Sequence, residues 1–195
     1  MKLAILLLSV TLALTRTATA ADYRLEMAPE TTTVHWMLGG VVHTVHGTFK
    51  LKRGDVHFDP DTGKAAGEIV VDAGSGESGN GSRDSKMHKN VLESAKYKEI
   101  SFVPDRVEGR VGLSGTSDVK LHGIFTVHGA AHEMTVPVQV IARQSELSAN
   151  IRFEVPYVAW GMKDPSTFLL KVSKSVEIEM HTAGHLTTSA KTSGN

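Results

Sequence analysis

The 195-residue sequence contains no cysteine. That removes disulfides, thiolate metal sites, thiol catalysis and covalent c-type haem attachment. Net charge is absent as well: 21 basic residues meet 21 acidic ones. Bulk charge therefore draws in no nucleic acid. Aromatics are few, at 6%. Long apolar runs are missing apart from Leu3 to Leu14, which lies behind Lys2 and ahead of Ala18-Thr19-Ala20. That run is too short to span a bilayer comfortably. It has the layout of a secretory signal with an A-x-A cleavage site. Residues 1–20 are thus read as a signal peptide and the protein as periplasmic or secreted, with no permanent membrane anchor. Without Lys2 and Arg16 the balance is 19 − 21 = −2. The remaining chain, about 175 residues, suits one domain with a real core, held by burial and backbone hydrogen bonds alone.

What is present is a period of two. Val34, Trp36 and Leu38 share one side of a strand, and Phe49 and Leu51 alternate with Lys50 and Lys52. A Pro-Asp-Thr-Gly turn precedes a strand around Ile69 to Val71. "EISFVP" is another short strand. "VKLHGIFTVHGAAHEMTVPVQVIA" is the clearest hairpin, with Leu121, Phe125 and Val127 going out and Met134, Val136, Val138 and Val140 returning. Ile151, Phe153 and Val155 are in phase, as are Val176, Ile178 and Met180. About eight short antiparallel strands with one apolar face must close or stack. Sequential hairpins favour an all-β, eight-stranded up-and-down barrel over residues 21–182. Its interior is either just filled by side chains or just wide enough for one small ligand, and the pattern leaves both open. Val34, Trp36, Phe49, Phe102, Phe125, Val138 and Phe153 are expected to face inward; a one-residue slip would turn them out. Phe168 is expected in the core as well. Residues 183–195 have no periodic apolar face and are expected to form a disordered tail.

Two segments resist the period. Ser75 to Ser82 reads as a flexible loop. Ser82 to Ser94 has helical spacing, with Met87 and Val91 four apart and Leu92 adjacent. Ser82 is the expected N-cap, and Asp84 sits in the first turn, where negative charge is favoured. A short amphipathic helix on such a loop would serve as a lid over one barrel end. Arg83 and Asp84 would then lie at the rim. They either anchor the helix or, through the guanidinium fork of Arg83, meet a polar or anionic head group.

Enzyme signatures are missing. No G-x-S-x-G occurs, and the glycines at 74, 76, 79 and 81 lack the Lys-Ser/Thr of a phosphate loop. Glu177 and Glu179 alternate with apolar residues as a solvated face does. Ten histidines invite a metal reading. His43 and His46, three apart on a strand, would point to opposite faces. His128 and His132 flank a tight turn and form the best pair. His35 points out if Trp36 points in. No set has the spacing of a ligand cluster. A metal-binding or redox-partner module using surface histidines stays the alternative, and a side-chain-filled interaction barrel a third.

Five pieces in order resemble the YceI-like family of periplasmic polyisoprenoid-binding proteins with a lipocalin-like barrel. They are "YRLEMAPETTTVHWML", "HTVHGTF", "RDSKMHKNVLESAKYKEISF", "GIFTVHG" and "PYVAWGM". Lys86 departs from the family's usual His, and Lys98 from its usual Pro, while Arg83 and Asp84 are kept. His88 lies two places from the missing His, toward a different side of the helix. The resemblance implies the open branch of the fork. The inward residues would then bind a polyisoprenoid or other long amphiphile, with Arg83, Asp84 and His88 near its head or the lid. It implies a non-enzymatic carrier and a lipid rather than a cofactor as the bound molecule; separately, a homodimer is kept open.

Overall fold

The computed structural model describes residues 21–190 apart from 113, 145 and 169. The expected signal peptide lies outside the described residues. Nine antiparallel strands form one sheet: β1 (Ala21–Met27), β2 (Thr32–Leu38), β3 (Val45–Phe58), β4 (Ala65–Glu77), β5 (Glu99–Glu108), β6 (Gly115–Val127), β7 (Ala130–Arg143), β8 (Glu146–Val155) and β9 (Val176–Ala190). Each of β3 to β8 pairs with the next in sequence. The ring closes because β1 and β2 both lie between β3 and β9.

Those two strands are the halves of one broken stave. β1 covers Gly54 to Phe58 of β3, and β2 covers Val45 to Phe49. Pro29 opens the single 3₁₀ turn that separates them, Pro29–Thr31. The ring fixes φ and removes a ladder donor, so the strand cannot run through it. The break is tied inward. Thr31 Oγ1 donates to the carbonyl of Ala183 at 2.6 Å, and the buried hydroxyls of Thr32 and Thr182 meet at 2.8 Å. The result is an eight-stave barrel, as the period of two implies.

The alternation holds along the walls. Val119, Leu121, Phe125 and Val127 of β6 are buried, and so are Val136, Val138 and Val140 of β7. Val34 and Trp36 are buried, with His35 exposed between them. His128 and Gly129, at φ 51° and 75°, form the two-residue turn of the β6–β7 hairpin, whose twist matches the strands. Glu177 and Glu179 face outward, where both pair with Arg152.

Three expectations need correction. Residues 75–77 are strand, because β4 runs on to Glu77 beside Thr48 of β3. β9 likewise continues to Ala190, since β1 offers it a full ladder from Leu186 to Ala190. An apolar periodicity is not needed where backbone pairing supplies the hydrogen bonds. Only residues 191–195 of the expected tail lie outside the described residues. Phe168 is 93% exposed and belongs to no core.

The two ends of the barrel differ. Leu25, Met27, Val56, Phe58, Val107, Val140 and Leu147 fill the half that carries β1. The other half is ringed by the β2–β3, β4–β5 and β8–β9 connections and is open along its axis. Gly47 helps keep it so. A Cβ there would come within 2.3 Å of the Trp36 ring and of the Glu77 carbonyl, so the indole lies across bare backbone on the wall. Gly47→Ala is expected to push Trp36 inward and destabilise the barrel by about 1–3 kcal/mol. Urea unfolding followed by Trp fluorescence measures it; an unchanged midpoint would show that the indole has room to spare.

Candidate functional site

The open half encloses a cavity of about 570 Å³. That falls within the roughly 300–1,000 Å³ of small-molecule sites and far above the ~150 Å³ of an engineered core void. The structure therefore chooses the open branch. Every stave contributes to the wall: Val34, Trp36 and Leu38 from β2, Phe49 from β3, Ile69 and Val71 from β4, and Ile100 and Phe102 from β5. Leu121, Phe125, Val127 and Val136 come from the long hairpin. Ile151, Phe153 and Val155 from β8, with Val176, Ile178 and Met180 from β9, complete the ring. The aromatic rings lean on one another along the wall. Phe125 meets Phe153 edge-on at 5.8 Å and Trp160 at 5.9 Å, and His132 stacks on Trp160 at 3.9 Å. Such pairs hold rings in place and leave the axis free.

The helical segment is the lid. It comprises α1 (Gly81–Lys86) followed by one π turn, Met87–Val91. Met87, Val91 and Leu92 face the cavity, as the spacing of apolar residues implies. The wide turn is closed by Leu92 N–H donating to Met87 O at 2.9 Å. The N-cap is Asn80 rather than Ser82: its side chain accepts the Arg83 N–H at 3.0 Å. Ser82 instead lines the cavity.

Arg83 and Asp84 clasp the loop that carries them. Arg83 donates from Nε to Ser78 Oγ at 2.7 Å and from Nη2 to the Ser78 carbonyl at 3.0 Å. Ser78 Oγ–H in turn donates to the Asp84 carboxylate. That hydrogen bond holds the Asp84 carboxyl below its ordinary 3.8. The anchoring role is thus built, and Arg83 lies at the cavity rim besides, beside Lys86.

Of the sequence-predicted site residues, Val34, Trp36, Phe49, Phe102, Phe125 and Phe153 line the cavity together with Arg83. Val138 does not. It sits two residues from Val136, toward the filled half, between its cross-strand partners Val119 and Ile151. Asp84 faces Ser78 instead of the cavity. His88 is also turned away. Its Nε2 lies 2.8 Å from the Gly76 carbonyl, which can only accept, so that nitrogen carries the hydrogen; Nδ1 meets Ser94 Oγ at 3.1 Å. His88 is a bracket under the lid, and Lys86 holds the rim place.

The histidine pair also separates. His128 meets Glu93 at 2.8 Å and the Tyr97 ring, while His132 lies on Trp160. His43 is in the β2–β3 connection rather than on a strand. No group of three or more His, Cys, Asp or Glu suited to an ion occurs among the described residues.

The mouth is what sequence reading missed. Val41, Val42 and His43 line it from the β2–β3 connection, and Thr167, Leu170 and Lys171 from the β8–β9 connection. The two connections are laced together: Ser173 N–H donates to Gly39 O at 2.7 Å, and Val41 N–H to Lys171 O at 3.2 Å. Tyr157 braces the second from inside. Its hydroxyl donates to Ser173 O at 2.7 Å, and burial, helped by Asp164, pushes the phenol up to about 12. The apolar "VV" in "GGVVHT" was the available signal.

The YceI-like domain model matches residues 23–183, so the chain belongs to that family. No curated protein sequence matches the chain. Among solved structures, Burkholderia cenocepacia BcnA is similar at 19% identity and TM-score 0.67, covering 81% of this chain and 99% of its own. A polyisoprenoid binding domain from Saccharophagus degradans, implicated in plant cell wall breakdown, is 13% identical with TM-score 0.63, covering 85% and 98%. A Campylobacter jejuni YceI protein is 13% identical with TM-score 0.60, covering 72% and 84%. At such identities the structural likeness speaks for the fold.

The clasp gives a pH prediction. A carboxyl held below its ordinary value stabilises the fold fully at neutral pH. That contribution is lost as pH falls through the lowered value. The Met87 methyl resonance is expected to lose its lid-closed position below about pH 4, and at higher pH in Ser78→Ala, whose Asp84 lacks the hydroxyl. Coincident titrations in the two proteins would show that the clasp does not hold the lid.

Proposed function

We propose that this YceI-like protein is an exported, non-enzymatic carrier or sequestering protein for a polyisoprenoid or other long-chain amphiphile. The observation that carries the reading is the apolar cavity of about 570 Å³ in the open half of the barrel. A hydrocarbon tail needs no polar partners, so walls of Val, Ile, Leu, Met and Phe suffice. Each buried methylene contributes roughly 0.8 kcal/mol, so about ten carbons give roughly 8 kcal/mol gross before ordering costs. The polyisoprenoid binding named for the Saccharophagus domain, on the same fold, supports this class of cargo. The leader-like residues 1–20 support export.

The basic residues of the rim support a head group there. Arg83, Lys86 and Lys171 border the mouth, and Arg83 has Nη1 unused by the Ser78 contacts. An anionic or strongly polar head would be met there while the tail runs toward Ile151 and Met180.

Mass spectrometry of organic extracts from the purified protein is expected to show a stoichiometric long-chain species, or binding of added isoprenoid. Neither, together with a bound equivalent of zinc, copper or iron, would favour the histidine reading. Arg83→Ala is expected to weaken charged-head lipids about three- to tenfold more than neutral ones. Equal losses in both classes would leave Arg83 with the loop clasp alone. Phe125→Asn buries an unpaired amide; it is expected to cost about 1–3 kcal/mol of stability and to weaken tail binding together. Calorimetric titration with lipids of matched tails separates the two variants.

A further inference from the structure

Six large apolar side chains stand exposed among the described residues. Val103 and Ile124 are cross-strand partners on the outer wall. The other four gather at the cavity mouth. Val41 is 81% exposed and Val42 75% on the β2–β3 connection; Phe168 is 93% and Leu170 60% on the β8–β9 connection. Phe168 lies between Thr167 and Leu170, where Thr167 N–H donates to Leu170 O at 2.9 Å. The lacing between Gly39–Val41 and Lys171–Ser173 holds the two connections side by side. An apolar cluster displayed this way marks a contact surface.

The charges around the cluster are one-sided. The segments that frame the mouth, residues 39–44, 80–92 and 156–175, carry six Lys or Arg against two acids. Both acids are engaged: Asp84 with Ser78, and Asp164 with the Ser166 N–H at 2.8 Å. Lys86, Lys89, Lys163, Lys171 and Lys174 are all exposed. A neutral chain thus concentrates positive charge beside its most exposed apolar residues.

We propose that the mouth docks on an anionic phospholipid bilayer, with Phe168, Leu170, Val41 and Val42 dipping into the interface and the lysines above them meeting headgroups. Apolar tips under a cationic collar suit a membrane surface, where burial and attraction to anionic lipid act together. A protein partner of matching shape would be acidic; a bilayer supplies the acidic layer and the apolar layer in the required order. Docking sets the cavity opening against the acyl region, so a water-insoluble tail passes between bilayer and barrel without crossing water. The inference rests on the lipid-carrier reading of the same cavity. No helix among the described residues is long and apolar enough to cross a membrane, so this attachment is peripheral.

Vesicle flotation with the full chain tests it. Vesicles are phosphatidylcholine with about 30% phosphatidylglycerol, or phosphatidylcholine alone, each at low salt and at about 0.5 M NaCl. The protein is expected to float with anionic vesicles and to lose most of that partition in high salt. Phe168→Asp should lower partition about tenfold, and Lys163→Glu with Lys174→Glu should lower it on anionic vesicles only. In all variants the melting curve and the uptake of vesicle-free farnesol, read by Trp quenching, should stay as in the parent. Farnesol uptake without flotation would overturn docking and leave the carrier reading intact. Flotation without farnesol uptake would overturn the carrier reading and support docking. Flotation unchanged by Phe168→Asp would overturn the proposal. So would a sedimenting dimer that Phe168→Asp dissociates in a protein that does not float; that result assigns the patch to a second copy.

Discussion

Closure of the ring is the constraint on which everything else rests. With no cysteine to cross-link it, the chain gains its shape from backbone ladders that, among the described residues, close the sheet on itself. Eight staves set a radius that side chains can just fill. Which half is filled then depends on how the inward side chains lie. Near β1, residues such as Met27, Phe58 and Leu147 are buried in the core. Toward the mouth, Trp36 lies along the wall over Gly47, and Phe125, Phe153 and Trp160 lean on each other. The same architecture gives a plug at one end and a chamber at the other.

The lid follows the same logic at smaller scale. The β4–β5 connection must cross an open apolar end, so it turns Met87, Val91 and Leu92 inward. Its polar residues fasten it from outside, with Ser78 shared between Arg83 and Asp84 and His88 bridging Gly76 to Ser94. Arg83 belongs to both systems. It anchors through Nε and Nη2 and borders the chamber, so loop order and head-group contact are coupled through one guanidinium.

Much of this was legible in the residues. Alternation located the strands, and the pairs Val34–Trp36 and Phe125–Val127 placed the inner face, because a half-buried sheet imposes a strict period. Val138 shows the limit of that signal. Parity tells which face a side chain takes, and says nothing of how far along the axis it sits. Depth depends on strand stagger, which only the pairings with Val119 and Ile151 reveal. Helical spacing found the lid, but its cap and the partners of Asp84 and His88 depend on where residues 76–80 pass. The end of β9 escapes the pattern for a different reason: its last residues are kept by ladder bonds to β1, which require no apolar pattern. Phe168 escapes it too, because an aromatic residue carries the same letter in a core and on an exposed loop.

The central claim is that the chamber, and not the outer face of the sheet, receives the hydrocarbon. Nuclear Overhauser contacts between a ¹³C-methyl-labelled isoprenoid and the protein's methyl and aromatic protons test it most directly. The account predicts contacts from the lipid methyls to Val71, Phe125, Ile151 and Met180, with none to Val140 or Leu147 in the filled half. Contacts confined to outer-wall residues such as Val103 and Ile124, or none under saturating lipid, would contradict it.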